Sequence, residues 1–339
     1  MEKRIQQIRE RALVVQTIRG FFDQMDFVEV DTPVAIAAPI PEAHVDAPLC
    51  ILHFSGRAHR TFLQPSPESS MKKLLAQDGV ERIYQIAPVF REHDHSAIHL
   101  PEFRMLEWYR KGETWDKLLE DTESLIRKCV EVLNLGEKLS FNGRTIDLSL
   151  PFRKITVDEA FQKSLGFAVS HYLEPEALKE QLTQKEIAFD DQDDFETLFH
   201  RAFLSRVEPK LLASNQPIFL THYPAPLAAL AQLTPTNPRV SERFELYMGG
   251  LELANGFGEL TDAPQQAKRF EQEKREREAL GKMHYPDDPA FLQALMRIHS
   301  AAGNALGLDR LLMLLSNTTD IQDTWAIPPQ YPAMEPKKG

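Results

Sequence analysis

The sequence predicts an α+β protein, helices combined with antiparallel strands, and three observations carry that class. Apolar residues recur at helical spacing over residues 5–22 and again over 113–135, where Leu118, Leu119, Leu125 and Ile126 share a face. Two long strand candidates, Ile83–Phe90 and Phe103–Arg110, follow each other with only a polar, histidine-rich segment between them. Gly249-Gly250 separates the runs Phe244–Met248 and Leu251–Ala254, the signal of a two-residue hairpin. The 339 residues are 42% hydrophobic and 26% charged, which suits a compact globular chain and excludes disorder and coiled-coil rods. A formal net charge of −11 argues against broad nucleic-acid binding, which needs concentrated Lys and Arg. Cys50 and Cys129 form neither a disulfide framework nor a Cys-x-x-Cys spacing. No apolar run reaches the roughly 18–20 residues of a membrane span, and no signal-peptide core follows the charged start, so a cytoplasmic location is expected.

The elements follow in order. Ile5, Ile8, Ala12, Val15 and Phe22 give an opening helix one apolar face, and Gly20 helps to end it. Phe27–Val30 reads as a short strand stopped by Pro33, and the proline-rich stretch through Pro48 as a surface loop. Cys50–Phe54 and Thr61–Leu63 read as an edge hairpin. Ser66-Pro67-Glu68 starts a helix that runs to about Ala76, with Ser66 as N-cap, Pro67 at the first position and Glu68 on the dipole. Between Glu174 and Glu196 acids outnumber bases, the mark of a solvated helical or loop-like periphery. Gln265–Leu280 is a charged amphipathic helix. Leu308–Leu314 is an apolar one, entered through Gly303-Asn304-Ala305-Leu306-Gly307, and a loose tail follows Trp325.

Chemistry concentrates on two strands and a hairpin. Side chains alternate along a strand, so Phe103, Met105, Glu107 and Tyr109 share a face opposite Arg104, Leu106 and Trp108. A carboxylate between Met105 and Tyr109 requires a cation, supplied either by a buried salt bridge or by a ligand. Across the Gly249-Gly250 turn, Met248 faces Leu251, Tyr247 faces Glu252 and Glu245 faces Ala254, leaving Glu245 and Glu252 diagonal on one face. Diagonal neighbours lie about 7–8 Å apart, and a shared Mg²⁺ would relieve their repulsion, oxygen ligands suiting that ion better than zinc. Taken alone, the pair reads first as solvent-exposed glutamates. His93, His95 and His99 are spaced irregularly and read as loop histidines rather than a zinc site. No nucleophile elbow, Walker A loop or Gly-x-Gly-x-x-Gly turn is present, so any ATP must be held by another device.

Taken jointly, Pro33, the Phe90-Arg91 segment with His99-Leu100-Pro101-Glu102-Phe103, and Gly303 through Gly307-Leu308-Asp309-Arg310 resemble motifs 1, 2 and 3 of class II aminoacyl-tRNA synthetases. Ser66-Pro67-Glu68, the run Phe103–Tyr109, Glu252-Leu253-Ala254-Asn255-Gly256-Phe257 and Glu259-Leu260-Thr261-Asp262 are similar to the lysyl-tRNA synthetase branch. The opening helix begins within the first few residues, so the N-terminal anticodon-binding OB domain of that branch is expected to be missing. That combination resembles the elongation factor P lysine ligases, paralogues of lysyl-tRNA synthetase that attach (R)-β-lysine to a protein lysine.

The resemblance implies a class II synthetase catalytic domain over residues 1–325. Its sheet would be mixed, mostly antiparallel, of six or seven strands flanked by helices. A mainly helical peripheral region would span about 112–210, a loose tail 326–339, and a homodimer would form through motif 1. It implies ATP as substrate with Mg²⁺, the catalytic arginines being Arg91 at the α-phosphate and Arg310 at the γ-phosphate. His99 and Phe103 would meet the adenine region, Leu253 and Gly307 line the ATP site, either Glu92 or Asp94 contact the nucleotide, and Glu245 and Glu252 hold the metal. Glu68, Tyr109 and Glu259 would hold the amines of a lysine-like substrate, with Ser66, Pro67, Glu107, Asn255, Phe257 and Ala305 around it. Ala305 stands where lysyl-tRNA synthetases usually have glycine, and Leu100 where asparagine is common. The implied partners are elongation factor P as acceptor and lysine or (R)-β-lysine as substrate, with tRNA unlikely. A truncated tRNA-charging enzyme and a non-catalytic paralogue sensing lysine or ATP are the competing readings.

Overall fold

The computed structural model describes residues 2–93 and 95–331. Eight strands among them form one sheet: β1 (Val28–Glu29), β2 (Arg82–Phe90), β3 (Glu102–Lys111), β4 (Arg153–Thr156), β5 (Ile218–Thr221), β6 (Arg243–Met248), β7 (Leu251–Gly258) and β8 (Ala301–Gly307). Their order is β1-β2-β3-β8-β7-β6-β5-β4, antiparallel except at the two ends, where β1 runs parallel to β2 and β4 to β5. The helices that matter here are α1 (Glu2–Asp23), α2 (Glu68–Leu75), α3 (Asp116–Val132), α4 (Ala263–Ala279), α5 (Pro289–Leu295) and α6 (Leu308–Leu315).

Strand register divides the sheet into a core face and a site face. Ile86, Leu106, Leu306, Ala254 and Leu246 stand side by side across β2, β3, β8, β7 and β6, and so do Tyr84, Trp108, Asn304, Gly256 and Phe244. These rows supply the main apolar core, closed by Val14, Ile18 and Phe22 of α1, by α3 and by α6. Phe22 stacks on Tyr84 at 4.6 Å and meets Trp108 at 5.4 Å, aromatic contacts that each add about 0.5–1.5 kcal/mol beyond burial. Asp121 fixes α3 to the sheet by accepting both from Arg110, at 2.7 and 2.8 Å, and from Trp108 Nε1. The intervening rows, Gln85-Glu107-Ala305-Asn255-Glu245 and Ile83-Tyr109-Gly303-Phe257-Arg243, turn to the opposite face. Beyond β5, the helices Val157–Leu165, Pro175–Gln184 and Phe195–Ala202 enclose a second core around Phe161, Leu178 and Phe199 that also takes in Ile218, Leu220 and Tyr247.

Several expectations are corrected. The sheet has eight strands rather than six or seven, because the short polar edge strand β4 shows no alternation to betray it. The buried stripe of α1 is Val14-Ile18-Phe22, while Ile5 and Ile8 stay 45% and 41% exposed. Ser66 does not cap α2: the helix starts one residue later than its turn chemistry suggests, with Pro67 at the N-cap and no side-chain capping bond. The proline-rich stretch is not a surface loop. Ala38, Ile40, Ala43 and Ala47 are buried, and Arg277 of α4 donates to the carbonyls of Glu42 and Val45 at 2.8 and 3.1 Å while pairing with Asp46. The prolines at 33, 39, 41 and 48 carry no N–H to satisfy, and one arginine serves two of the segment's carbonyls. Residues 303–307 are not merely the entry to α6 but lie in the central strand β8. The guanidinium groups of Arg11 and Arg104 both lie over the Trp325 ring, at 5.7 and 5.0 Å.

Candidate active site

The Gly249-Gly250 turn forms as read, and Met248 faces Leu251 and Tyr247 faces Glu252, but then the register slips. Leu246 faces Ala254 and Glu245 faces Asn255, not Ala254, so Leu253 is an extra residue, a β-bulge. The bulge has a chemical result. A regular strand would point Glu252 and Asn255 to opposite faces, whereas one extra residue brings Glu252, Asn255 and Phe257 to the same side.

That side opens into a cavity of about 310 Å³. Of the residues singled out from the sequence, Ser66, Glu68, Arg91, His99, Phe103, Glu107, Glu252, Leu253, Asn255, Phe257, Ala305, Gly307 and Arg310 line it. Glu92 does not: it is exposed in the turn after β2. Asp94 lies outside the described residues. His93 and His95 are exposed, and no cluster of three or more potential metal-ligating side chains occurs among the described residues. Leu100, 1% exposed, gives the cavity an apolar wall.

One end of the cavity is built for an anion. Arg310 donates to the Glu252 carbonyl at 2.8 Å and meets His99 Nε2 at 2.6 Å, which fixes its guanidinium in place. His99 Nδ1 lies 2.8 Å from Ser96 Oγ, so Nε2 is left as the acceptor for Arg310. The Arg91 guanidinium lies over the Phe103 ring at 5.4 Å. Asp309 anchors this end, accepting from Arg11 of α1 at 2.6 Å and from the Arg104 amide at 2.7 Å.

The other end is built for cations. Glu107 accepts from the Tyr109 hydroxyl at 3.0 Å and has no cationic partner among the described residues. Burial, then Glu68, push its carboxyl well above the usual range, and burial next to Glu107 pushes the Tyr109 phenol up likewise. Neither Tyr109 nor Glu259 lines the cavity. Glu259 lies behind its wall, against Gly303, where an added Cβ would sit 2.3 Å from both Glu259 Oε1 and the Tyr109 ring. Only glycine lets β8 pass there. Between Glu68 and Glu259 stands Lys72, 2.5 and 2.6 Å away and 1% exposed. Burial works against its charge, but Glu259 and Glu68 outweigh burial and hold the ammonium above the ordinary lysine range. Two carboxylates thus pair with one internal ammonium, and Glu107 beside them is left without a cation among the described residues.

Glu245 and Glu252 share the wall of a second, adjoining cavity of about 400 Å³. Glu245 is already served by Arg243 at 2.8 Å and by the Tyr247 hydroxyl at 2.7 Å. Glu252 is not. Burial, with Glu245 next, raises its carboxyl to about 7 despite Arg310 and Arg243. Three residues of this architecture escaped the sequence: Lys72, whose spacing from Glu68 is that of an ordinary helix-surface pair; Arg243; and Glu42, hidden in the proline-rich stretch; Asp309 stood in a motif there but without a role. Lys72 and Arg243 had a signal, being the cations that buried carboxylates demand.

A family model described as tRNA synthetases class II (D, K and N) matches residues 1–330. The chain is 38% identical over 310 residues to an elongation factor P–(R)-beta-lysine ligase of Edwardsiella ictaluri (strain 93-146), covering 90% of the chain and 89% of that protein. It is 35% identical over 323 residues to one of the same name from Histophilus somni (strain 2336), with 94% of each covered. It is also 33% identical over 322 residues to a lysine–tRNA ligase of Legionella pneumophila (strain Lens), covering 94% of the chain but 63% of that protein.

Proposed function

The chain belongs to the class II tRNA synthetases of the aspartate, lysine and asparagine group, and from that premise we propose an ATP-dependent ligase. It activates a lysine-type amino acid, (R)-β-lysine, as an aminoacyl-adenylate and transfers it to a lysine side chain of elongation factor P. One observation carries the reading: a single cavity has Arg91 and Arg310 at one end and Glu68 and Glu107, in excess over one lysine, at the other. A nucleotide phosphate and a diamino acid satisfy both ends at once. Ala305 stands directly across the ladder from Glu107, so its methyl group narrows the amine pocket, which supports a substrate differing in shape from α-lysine. The relatives named as elongation factor P ligases match along nearly their whole length.

The substrate carboxylate is ionised at neutral pH and attacks the ATP α-phosphorus without a base; pyrophosphate leaves with the bonding electrons. Arg91 stabilises charge on the phosphorus undergoing attack, and Arg310, preset by His99, that on the departing pyrophosphate. The amine end holds the amino acid in register for this attack, Glu68 and Glu107 accepting from its ammonium groups. Mg²⁺ fits the donor set: Glu252, raised by burial and then by repulsion from Glu245, is a carboxylate with no ion-pair partner among the described residues, and Mg²⁺ needs only one or two carboxylates beside phosphates and water. Glu245 and Glu252 would hold the ion, which would neutralise phosphate charge. Exposed Ile5, Ile8 and Leu13 on α1 and Val28 on β1 support a homodimer through this edge. The test is amino-acid-dependent pyrophosphate exchange, followed by the intact mass of elongation factor P incubated with ATP, the protein and either α-lysine or (R)-β-lysine. A mass increase of one lysine residue with (R)-β-lysine is expected. Exchange without a mass change, together with charging of lysine tRNA, would replace this reading by the truncated synthetase.

A further inference from the structure

Apart from the Glu245–Glu252 pair on its wall, the second cavity has no part in adenylate formation as described, and neither has Glu42. Resting on the transfer half of the proposed function, we propose that this cavity admits the acceptor's primary amine and that Glu42, at its junction with the first cavity, takes the proton from that amine. The two cavities share Glu42, Arg91, Glu252, Asn255 and Phe257 in their walls. Of the two shared carboxylates, Glu252 is the metal candidate, and Glu42 makes no hydrogen bond or ion pair through its side chain among the described residues. Its backbone, in contrast, is fixed: Arg277 holds the Glu42 carbonyl at 2.8 Å and Glu273 accepts from the Ala43 amide at 2.7 Å. A carboxylate without partners on a tethered segment can receive a proton without breaking another contact.

The cavity suits an ammonium. Glu196, Glu208, Glu245 and Glu273 join Glu42 and Glu252 in its walls against His44, His200 and three arginines that are each already engaged, Arg91 donating to the Pro65 carbonyl at 3.4 Å. Arg243 serves Glu245, and Arg269 donates to the carbonyls of Ala229 and Ala231. A second observation points to a ligand there. Gln266, 1% exposed, lines the same cavity with both amide atoms lacking any hydrogen-bond partner among the described residues, a donor and an acceptor that the peptide backbone flanking an acceptor lysine would satisfy. The electrostatics agree. Burial first, then Glu68, raise the Glu42 carboxyl to about 7, Glu273 adding while Arg91 and Arg243 oppose, which places a base near the working pH.

The step balances. The acceptor ammonium gives one proton to Glu42, and the freed lone pair attacks the adenylate carbonyl carbon. The C–N bond forms, the C–O bond to phosphate breaks, AMP leaves with that electron pair, and the second amine proton passes to water.

Single-turnover transfer from preformed adenylate to elongation factor P, measured against pyrophosphate exchange by the same variant, tests this. Glu42→Gln is expected to slow transfer about 10²-fold or more relative to its own exchange rate, Glu42→Asp to recover part of that, and the deficit to shrink as pH rises and the amine deprotonates unaided. Capture of the adenylate by hydroxylamine, already unprotonated at neutral pH, should proceed at the same rate relative to exchange in both proteins. Gln266→Leu should raise KM for elongation factor P about fivefold to tenfold, the worth of one hydrogen bond. Transfer by Glu42→Gln at the wild-type ratio, or a parallel fall in hydroxylamine capture, would overturn the base; an unchanged KM in Gln266→Leu would overturn the route. Absence of exchange in the unaltered protein would instead overturn the proposed function itself.

Discussion

Glu107 and Glu259 lie in one buried cluster, yet their charges do different work. Glu107 faces the cavity with only the Tyr109 hydroxyl as partner, whereas Glu259 lies behind the wall holding Lys72. Glu107→Gln therefore removes a carboxylate that a substrate ammonium would meet, a charge-assisted bond of roughly 1.5–3 kcal/mol. It is expected to lower kcat/KM for the amino acid by about one to two decades with little change in KM for ATP, and to leave stability unchanged or improved because Glu68 loses a repelling neighbour. Glu259→Gln should instead cost stability, about 3 kcal/mol or more, since a buried ammonium loses one of two partners. Adenylation kinetics and urea unfolding of both variants check the contrast; equal loss of stability in both would show that Glu107 also serves the internal lysine. Strand alternation alone exposed Glu107 and Tyr109 as face-mates. It could not reveal Lys72, because its claim on Glu259 spans a distance in sequence that no local pattern encodes.

At the level of elements, the proline-rich segment and α4 behave as one unit. Arg277, 1% exposed, is bonded to the Glu42, Val45 and Met283 carbonyls and to Asp46. Arg277→Met should leave those carbonyls and part of the Asp46 charge unpaired, costing about 3 kcal/mol or more. Limited proteolysis should then cut within residues 38–47, which are expected to resist it in the unaltered protein; an unchanged digestion pattern would show that Tyr285, which accepts from the Ala47 amide at 2.8 Å, suffices. The long strands and amphipathic helices were legible because each announces its own period: β2, β3, α3 and α4 lie within a few residues of their expected spans. What stayed hidden depends on partners far along the chain. Proline and alanine read as surface until an arginine 235 residues beyond Glu42 buries them, and Ser66 satisfies every local rule of capping while the helix begins a residue later.

For the whole molecule, the site face stores unfavourable charge. Burial raises Glu42 and Glu252 to about 7 and pushes Glu107 and Glu259 upward too. Below the ordinary carboxylate range these groups are protonated in both states. As pH rises toward 7 the unfolded chain releases their protons first, so the folded state binds more protons and its stability falls. His200 and His222, lowered by burial, work in the opposite direction below about 6.5, and four acids outnumber two histidines. Urea unfolding of the ligand-free protein should give lower stability at pH 7.5 than at 5.5, and ATP with Mg²⁺ and (R)-β-lysine should reverse the trend; stability rising with pH without ligand would refute it. The bulge at Leu253 has a consequence of another kind. No side chain of that residue does chemistry, yet its presence sets the parity of β7, and parity decides which face Asn255 and Phe257 occupy relative to Glu252. Loss of a single codon there would send those two residues into the oily interior while every reactive group survived in the gene. The catalytic face is written partly as a count, and a count is damaged by deletion in a way that no substitution reproduces.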